Sequence, residues 1–185
     1  MYENLKEVKK DSEEIFDGVI LHLFKDTVIL PNGQSATREV IRHNGAAAVV
    51  PINKNGEVLM EKQFRYPFGC VMTEIPAGKL DKGEEPETGA RRELTEETGL
   101  TGGKLVSIGT LYPSVAYVDE VIHMYIATGF TQGENHLDED EFLETEWVHI
   151  DKLYESVMAG EIPDSKTQTA ILKTYCLYHE GKLEL

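Results

Sequence analysis

The sequence predicts an α/β fold, a mixed sheet sandwiched between helices in α/β/α fashion and preceded by an N-terminal β extension. Three observations carry that expectation. Strand-like runs fill the first third of the chain. One acidic helical segment interrupts the strands, which resume after it, and two amphipathic helical segments close the sequence. Strands on both sides of a central helix, with helices at the end, can bury both faces of one sheet.

In chain order, a charged start (Met1 to Glu14) leads into FDGVILHLFKDTVILPNGQSATREVIRH. That stretch reads as two or three strands, with Pro31-Asn32-Gly33 supplying a turn. Residues 1–43 are thus expected to form the extension and residues 44–185 the main domain. AAAVVPI and EVLMEKQF follow as a hairpin around Asn55-Gly56, a strong short-range turn signal. Pro86 then suits the first turn of a helix and Gly99 the left-handed residue just past its end. Gly89 inside that helix costs up to ~1 kcal/mol. Further strands are expected at KLVSIGTLY and EVIHMYIATGF, separated by the loop PSVAYVDE, and at FLETEWVHI after the acidic loop GENHLDEDE. The closing helices run from an Asp151 cap through Leu153, Val157 and Met158 to Gly160, and onward from Asp164-Ser165 with Ile171, Leu172 and Tyr175 at helical spacing.

A chain of 185 residues with 41% hydrophobic content suffices for one ordinary core. Its net charge of -15 argues against nucleic acid or an anionic membrane as partner, since either needs a basic face. The two cysteines form no CxxC pair and the N-terminus lacks the layout of a signal peptide, so a reducing cytoplasm is the expected compartment. No apolar run approaches the ~20 residues that span a bilayer.

The segment ARRELTEETGL concentrates carboxylates: Glu93, Glu96 and Glu97, with Glu84 just upstream. On a helix, Glu93 and Glu97 stand at i and i+4, where like charges destabilise by roughly 0.2–0.5 kcal/mol. Such a face becomes favourable when it holds a hard divalent cation, because Mg²⁺ takes oxygen ligands from a few carboxylates plus substrate phosphates. A bound metal would also let this acidic chain hold a polyanion, polarise a phosphoryl oxygen and activate a water. The bland alternative is a solvated helix face with Arg91 and Arg92 as partial counterions.

The wider pattern decides between these. From Gly78 to Leu100, GKLDKGEEPETGARRELTEETGL resembles the Nudix box, with every fixed position met: Gly78, Glu84, Arg92, Glu93, Leu94, Glu96, Glu97, Gly99 and Leu100. The resemblance implies that Glu93 and Glu97 are principal metal ligands and Glu96 an additional one. It also implies an orienting Glu84–Arg92 ion pair, and a backbone at Gly78 close enough for the carbonyl of Ala77 to coordinate.

Beyond the box, REVIRHNGAAAVVPI, QFRYP and EIPAGKLD resemble the ADP-ribose pyrophosphatase branch of the family. That resemblance implies Mg²⁺-dependent hydrolysis of ADP-ribose to AMP and ribose 5-phosphate, with Mn²⁺ able to substitute, and a homodimer that exchanges its N-terminal β segment. Arg65 matches the arginine that contacts the substrate phosphates, while Arg38 and Glu39 are candidate contacts to the adenosine side. The general base is implied to come from the acidic loop, with Glu139 and Glu141 as candidates. One departure stands out. Where the branch carries Ser-Pro-Gly, this chain reads Ser114-Val115-Ala116, so the turn near the terminal ribose is absent. GDP-mannose or another nucleotide sugar is therefore the alternative substrate, and a non-catalytic ADP-ribose-binding domain the alternative role. The six histidines show no ligand spacing, and Trp147, Tyr66 and Phe68 are expected to pack in the core.

Overall fold

The computed structural model describes residues 2–137 and 141–185. It forms two compact units, Met1–Gly45 with Tyr112–Val121, and Ala46–Leu111 with Ile122–Leu185.

In the first unit, β1 (Val8–Asp17), β2 (His22–Ile29) and β3 (Ser35–Arg42) make an antiparallel meander. β1 begins inside the stretch expected to be only a charged start. Its pairing with β2, Val8 opposite Ile29 through Asp17 opposite His22, extends the sheet where sequence pattern alone gave no strand. Segment 112–121 is fastened to the end of β3. Ile41 N–H donates to Tyr117 O at 2.7 Å, His43 N–H to Asp119 Oδ1 at 2.8 Å, and Arg42 Nη1 to Asp119 at 3.1 Å.

The second unit is built on β4 (Ala46–Pro51), whose six residues are all buried, as an uninterrupted apolar run demands. β5 (Glu57–Arg65), β6 (Cys70–Glu74), β7 (Ala77–Lys79) and α1 (Pro86–Thr98) follow. After them come β8 (Leu100–Thr101), β9 (Lys104–Leu111), β10 (Ile122–Thr128), β11 (Thr131–Gln132) and β12 (Leu143–His149). The helices α2 (Ile150–Met158) and α3 (Ser165–His179) close the chain. One sheet runs β7-β4-β10-β9, another β12-β5-β6, and β8 and β11 form a short ribbon. β4 and β10 are parallel while the neighbouring pairs are antiparallel, so the central sheet is mixed, as expected.

Alternation along β4 and β10 divides the core into two layers. Ala48, Val50, Met124 and Ile126 face Ile150, Leu153, Ala170 and Ile171 of α2 and α3. Ala47, Val49, Tyr125 and Ala127 pack on the opposite side with Ala90 and Leu94 of α1. The expected α/β/α sandwich results.

The Asn55-Gly56 turn forms, with Gly56 at φ 76° and its N–H bonded to Asn53 O at 3.0 Å. The hairpin does not continue, however. After the single Ile52–Val58 bridge the two strands part into different sheets. Three aromatics expected in the core lie outside it: Tyr66 and Phe68, on the turn between β5 and β6, are exposed, and Trp147 stacks on Phe130 at the surface.

Candidate active site

Helix α1 presents two adjacent stripes to the body of the domain. Ala90, Leu94 and Thr98 form the apolar one, and Gly89, Glu93 and Glu97 the other, each spaced at one turn. The second stripe runs along the segment 77–80 in opposite order. A Cβ on Gly89 would overlap Leu80, a Cβ on Gly78 would overlap the Glu93 carboxylate, and Ala77 N–H donates to Glu97 Oε2 at 3.0 Å. Two of the chain's glycines are thus explained by the close approach of helix to strand. Pro86 opens the helix, and Gly99, at φ 72°, closes it with its N–H bonded to Thr95 O.

Arg92 ties the carboxylates together. It donates from Nε and Nη2 to Glu84 at 3.1 and 3.0 Å, and from Nη1 to Glu93 at 2.7 Å and Glu96 at 3.0 Å. Its Nη2 also reaches the carbonyl of Lys79 at 3.0 Å. The hydrogen bonds from Arg92 hold Glu84 below the usual carboxylate range. Burial pushes the pKa of Glu93 upward, despite that arginine.

A cleft of about 320 Å³ opens beside this stripe, lined by Glu93, Glu96, Glu97, Arg92, Ala77 and, from other elements, Gln63, Arg65 and Glu141. Glu141 enters from the segment before β12, where Gln63 Nε2 donates to it at 3.4 Å. The loop leading to it is fastened at its start, since His136 N–H donates to Glu96 O at 2.8 Å. Glu139 lies outside the described residues. Arg65 grips Glu74 with Nε at 2.6 Å and Nη2 at 2.8 Å, and Lys166 pairs with the same carboxylate from α3. Burial alone would raise the Glu74 pKa, but these two cations more than offset it and the pKa falls. Arg38 and Glu39 lie on β3, in the first unit.

The NUDIX domain profile matches residues 42–168, more than half of the chain. The chain belongs to the Nudix family. It is 42% identical over 170 residues to an ADP-ribose pyrophosphatase of Bacillus subtilis (strain 168), covering 91% of this chain and 92% of that protein. To a methanol dehydrogenase activator of Bacillus methanolicus it is 41% identical over 162 residues, 86% of this chain and 88% of that protein. Among solved structures, an ADP compounds hydrolase superposes with a TM-score of 0.82 at 17% identity, over 96% of this chain and 97% of that one, a likeness of fold.

The Nudix box therefore occupies the helix and loop that line the cleft. Nudix hydrolases generally require a divalent metal. Among the described residues, no group of three or more His, Cys, Asp or Glu side chains stands arranged around one metal position, and Arg92 draws Glu93 and Glu96 toward itself. The donor set nevertheless fits a hard cation. Glu61, Glu93, Glu97 and Glu141 are mutually repelling carboxylates, all oxygen donors of the kind such a cation takes.

Sequence reasoning missed Glu61, Glu74 and Lys166. Glu61 carried a readable signal. It follows Leu59 by two residues on β5, so strand alternation points a charge to the side on which Leu59 is buried. Burial, then repulsion by Glu141, raises its pKa, while burial, then Glu61 and Glu93, raises that of Glu97. Glu74 and Lys166 are separated by 92 positions, and only the fold brings them together.

Proposed function

We propose that this Nudix pyrophosphohydrolase cleaves the pyrophosphate bond of ADP-ribose to AMP and ribose 5-phosphate, with Mg²⁺ as the cofactor and Mn²⁺ able to replace it. The observation that carries the reading is the carboxylate stripe Glu93–Glu97, fixed by Arg92 and Glu84 beside a cleft that Arg65 also lines. Glu93, Glu96, Glu97 and the carbonyl of Ala77 would hold the metal, which when bound would neutralise the diphosphate and lower the pKa of a water. Arg65 contacts substrate phosphate, kept in place by its two hydrogen bonds to Glu74. Arg38 and Glu39 contact the adenosine side. Either Glu139 or Glu141 removes the proton from the attacking water. The water oxygen joins one phosphorus, the bridging P–O bond breaks, and each product leaves with one phosphate.

We assign residues 1–43 to an extension exchanged within a homodimer, residues 44–185 to the catalytic domain, and the cytoplasm as the compartment. No helix among the described residues is long and apolar enough to cross a membrane.

Val115 and Ala116, at the place of the expected Pro-Gly, put hydrolysis of another nucleotide sugar such as GDP-mannose second. A third reading is an ADP-ribose-binding role without turnover. One panel separates the three. Phosphate release after a coupled phosphatase step is measured for ADP-ribose, ADP-glucose, GDP-mannose, NADH, diadenosine polyphosphates and dGTP, alongside ADP-ribose binding. ADP-ribose is expected to give the highest kcat/KM. A tenfold or larger preference for another compound overturns the substrate, and tight binding without turnover overturns hydrolysis.

A further inference from the structure

We infer that Glu61, buried on β5 two residues before the cleft-lining Gln63, is an additional metal-ligating residue, sharing a divalent cation with Glu97 from the strand side. The inference rests on the reading of Glu93, Glu96 and Glu97 as metal ligands and adds to it a residue outside the Nudix box.

The first support is an orphaned oxygen. Glu61 is 5% exposed, and its Oε1 is buried without a hydrogen-bond partner among the described residues. A carboxylate oxygen left so is costly unless something charged or hydrogen-bonding completes it. The second support is placement. Glu61 continues the β5 face of Leu59, which packs in the α1-side layer, and stands opposite Glu74 in the β5–β6 register. β5 and α1 share that layer through Leu59 and Leu94, and each carries a buried carboxylate there, Glu61 and Glu97. The third support is that the adjacent cations are engaged elsewhere. Arg65 spends two donors on Glu74, and Lys166 pairs with Glu74 and, at 3.1 Å, with Asp164. A hard divalent cation, which takes several carboxylate oxygens at once, satisfies Glu61 Oε1 and relieves its repulsion with Glu97. The competing account is a proton shared by the two carboxyl groups, with no metal at Glu61.

Mn²⁺ binding to the full chain, without substrate, distinguishes these. Calorimetric titration and EPR of free Mn²⁺ give stoichiometry and Kd for wild type, Glu61→Gln and Glu97→Gln. Glu61→Gln is expected to lose one Mn²⁺ per chain, or to bind it at least about tenfold more weakly, while its melting temperature in EDTA holds or rises. Wild-type stoichiometry and Kd in Glu61→Gln, with Mn²⁺ lost in Glu97→Gln, overturn the role of Glu61 and leave the box ligands standing. Unchanged binding in both variants overturns the underlying assignment as well. Should Glu61→Gln fail to fold, anomalous scattering from wild-type crystals soaked in Mn²⁺ decides. A manganese peak about 2.1 Å from a Glu61 oxygen supports the inference, and manganese bound only by helix residues overturns it.

Discussion

Glu97 carries a cost for the folded chain at a position that we propose the activity requires. Its carboxylate is buried beside Glu61 and Glu93, with one backbone hydrogen bond from Ala77 in compensation. In the folded chain burial, and then repulsion by neighbouring carboxylates, raises the pKa of Glu61 and of Glu97 well above 4.5, the value to which unfolding returns them. Between those limits the folded state binds more protons than the unfolded one, so stability falls as pH rises through the window. Glu74, with its pKa held low, acts in the opposite sense and only below that window. In EDTA, the urea midpoint of wild type is therefore expected to drop between pH 5.5 and 8.5. Glu97→Gln should flatten that profile and be the more stable protein at pH 8.5. A flat wild-type profile would refute the burial of these charges. The same substitution should lower kcat at least ~10²-fold with Mg²⁺ present if Glu97 is the metal ligand we propose. Greater stability together with lost turnover is the signature of a site that sacrifices folding energy for function.

At the scale of elements, α1 and the segment 77–80 act as one device. Gly78 lacks a side chain so that Glu93 can lie against its backbone, and no left-handed φ is needed there. Gly78→Ala should therefore leave the melting temperature within a few degrees of wild type while displacing the Glu93 carboxylate. A misplacement on the order of 1 Å costs about 10²-fold in rate, which steady-state kinetics against a circular dichroism melt would reveal. Much of this device was legible in the sequence, because the Nudix box is local: Glu84, Arg92, Glu93 and Glu97 stand within 14 residues, the last three on one helix and Glu84 just before it. The α2 and α3 segments were legible for the same reason, their spacing and the Asp164 cap of α3 being short-range signals, although α2 is capped by His149, whose Nδ1 accepts from Asp151 N–H, and not by Asp151 as expected. What could not be read is non-local. Nothing near Glu74 in the chain announces Lys166, and nothing in the Asn55-Gly56 turn says that its strands enter different sheets. The acidic loop lies between these cases. A base on a loop should affect kcat more than affinity, so Glu139→Gln or Glu141→Gln, but not both equally, is expected to lose ~10² to 10⁴ in rate. Full rate in the double variant would move the base elsewhere.

For the whole molecule, assembly is the open consequence of the first unit. Its β1–β2–β3 meander is only three strands, and a sheet so small needs a packed face to be stable. Yet Ile15 and Phe16 on β1, and Val19, Ile20 and Leu21 in the connection to β2, are exposed by half or more. Five large apolar side chains within seven positions are thus left to solvent, and a second copy of the chain packed around a two-fold axis would cover them. The same unit fastens segment 112–121 through Ile41, Arg42 and His43, so the loop bearing Val115 and Ala116 depends on the extension for its anchors. We therefore expect dimerisation and substrate choice to be coupled through these anchors. Sedimentation should find a dimer at micromolar concentration, and the triple change Ile15→Ser, Phe16→Ser and Ile20→Ser should shift it to monomer. A chain starting at Asn44 should lose kcat/KM for ADP-ribose even where Mn²⁺ still binds, because the box remains while the loop's anchors are gone. A monomeric wild type, or full activity in the shortened chain, would show that the extension serves neither assembly nor the substrate.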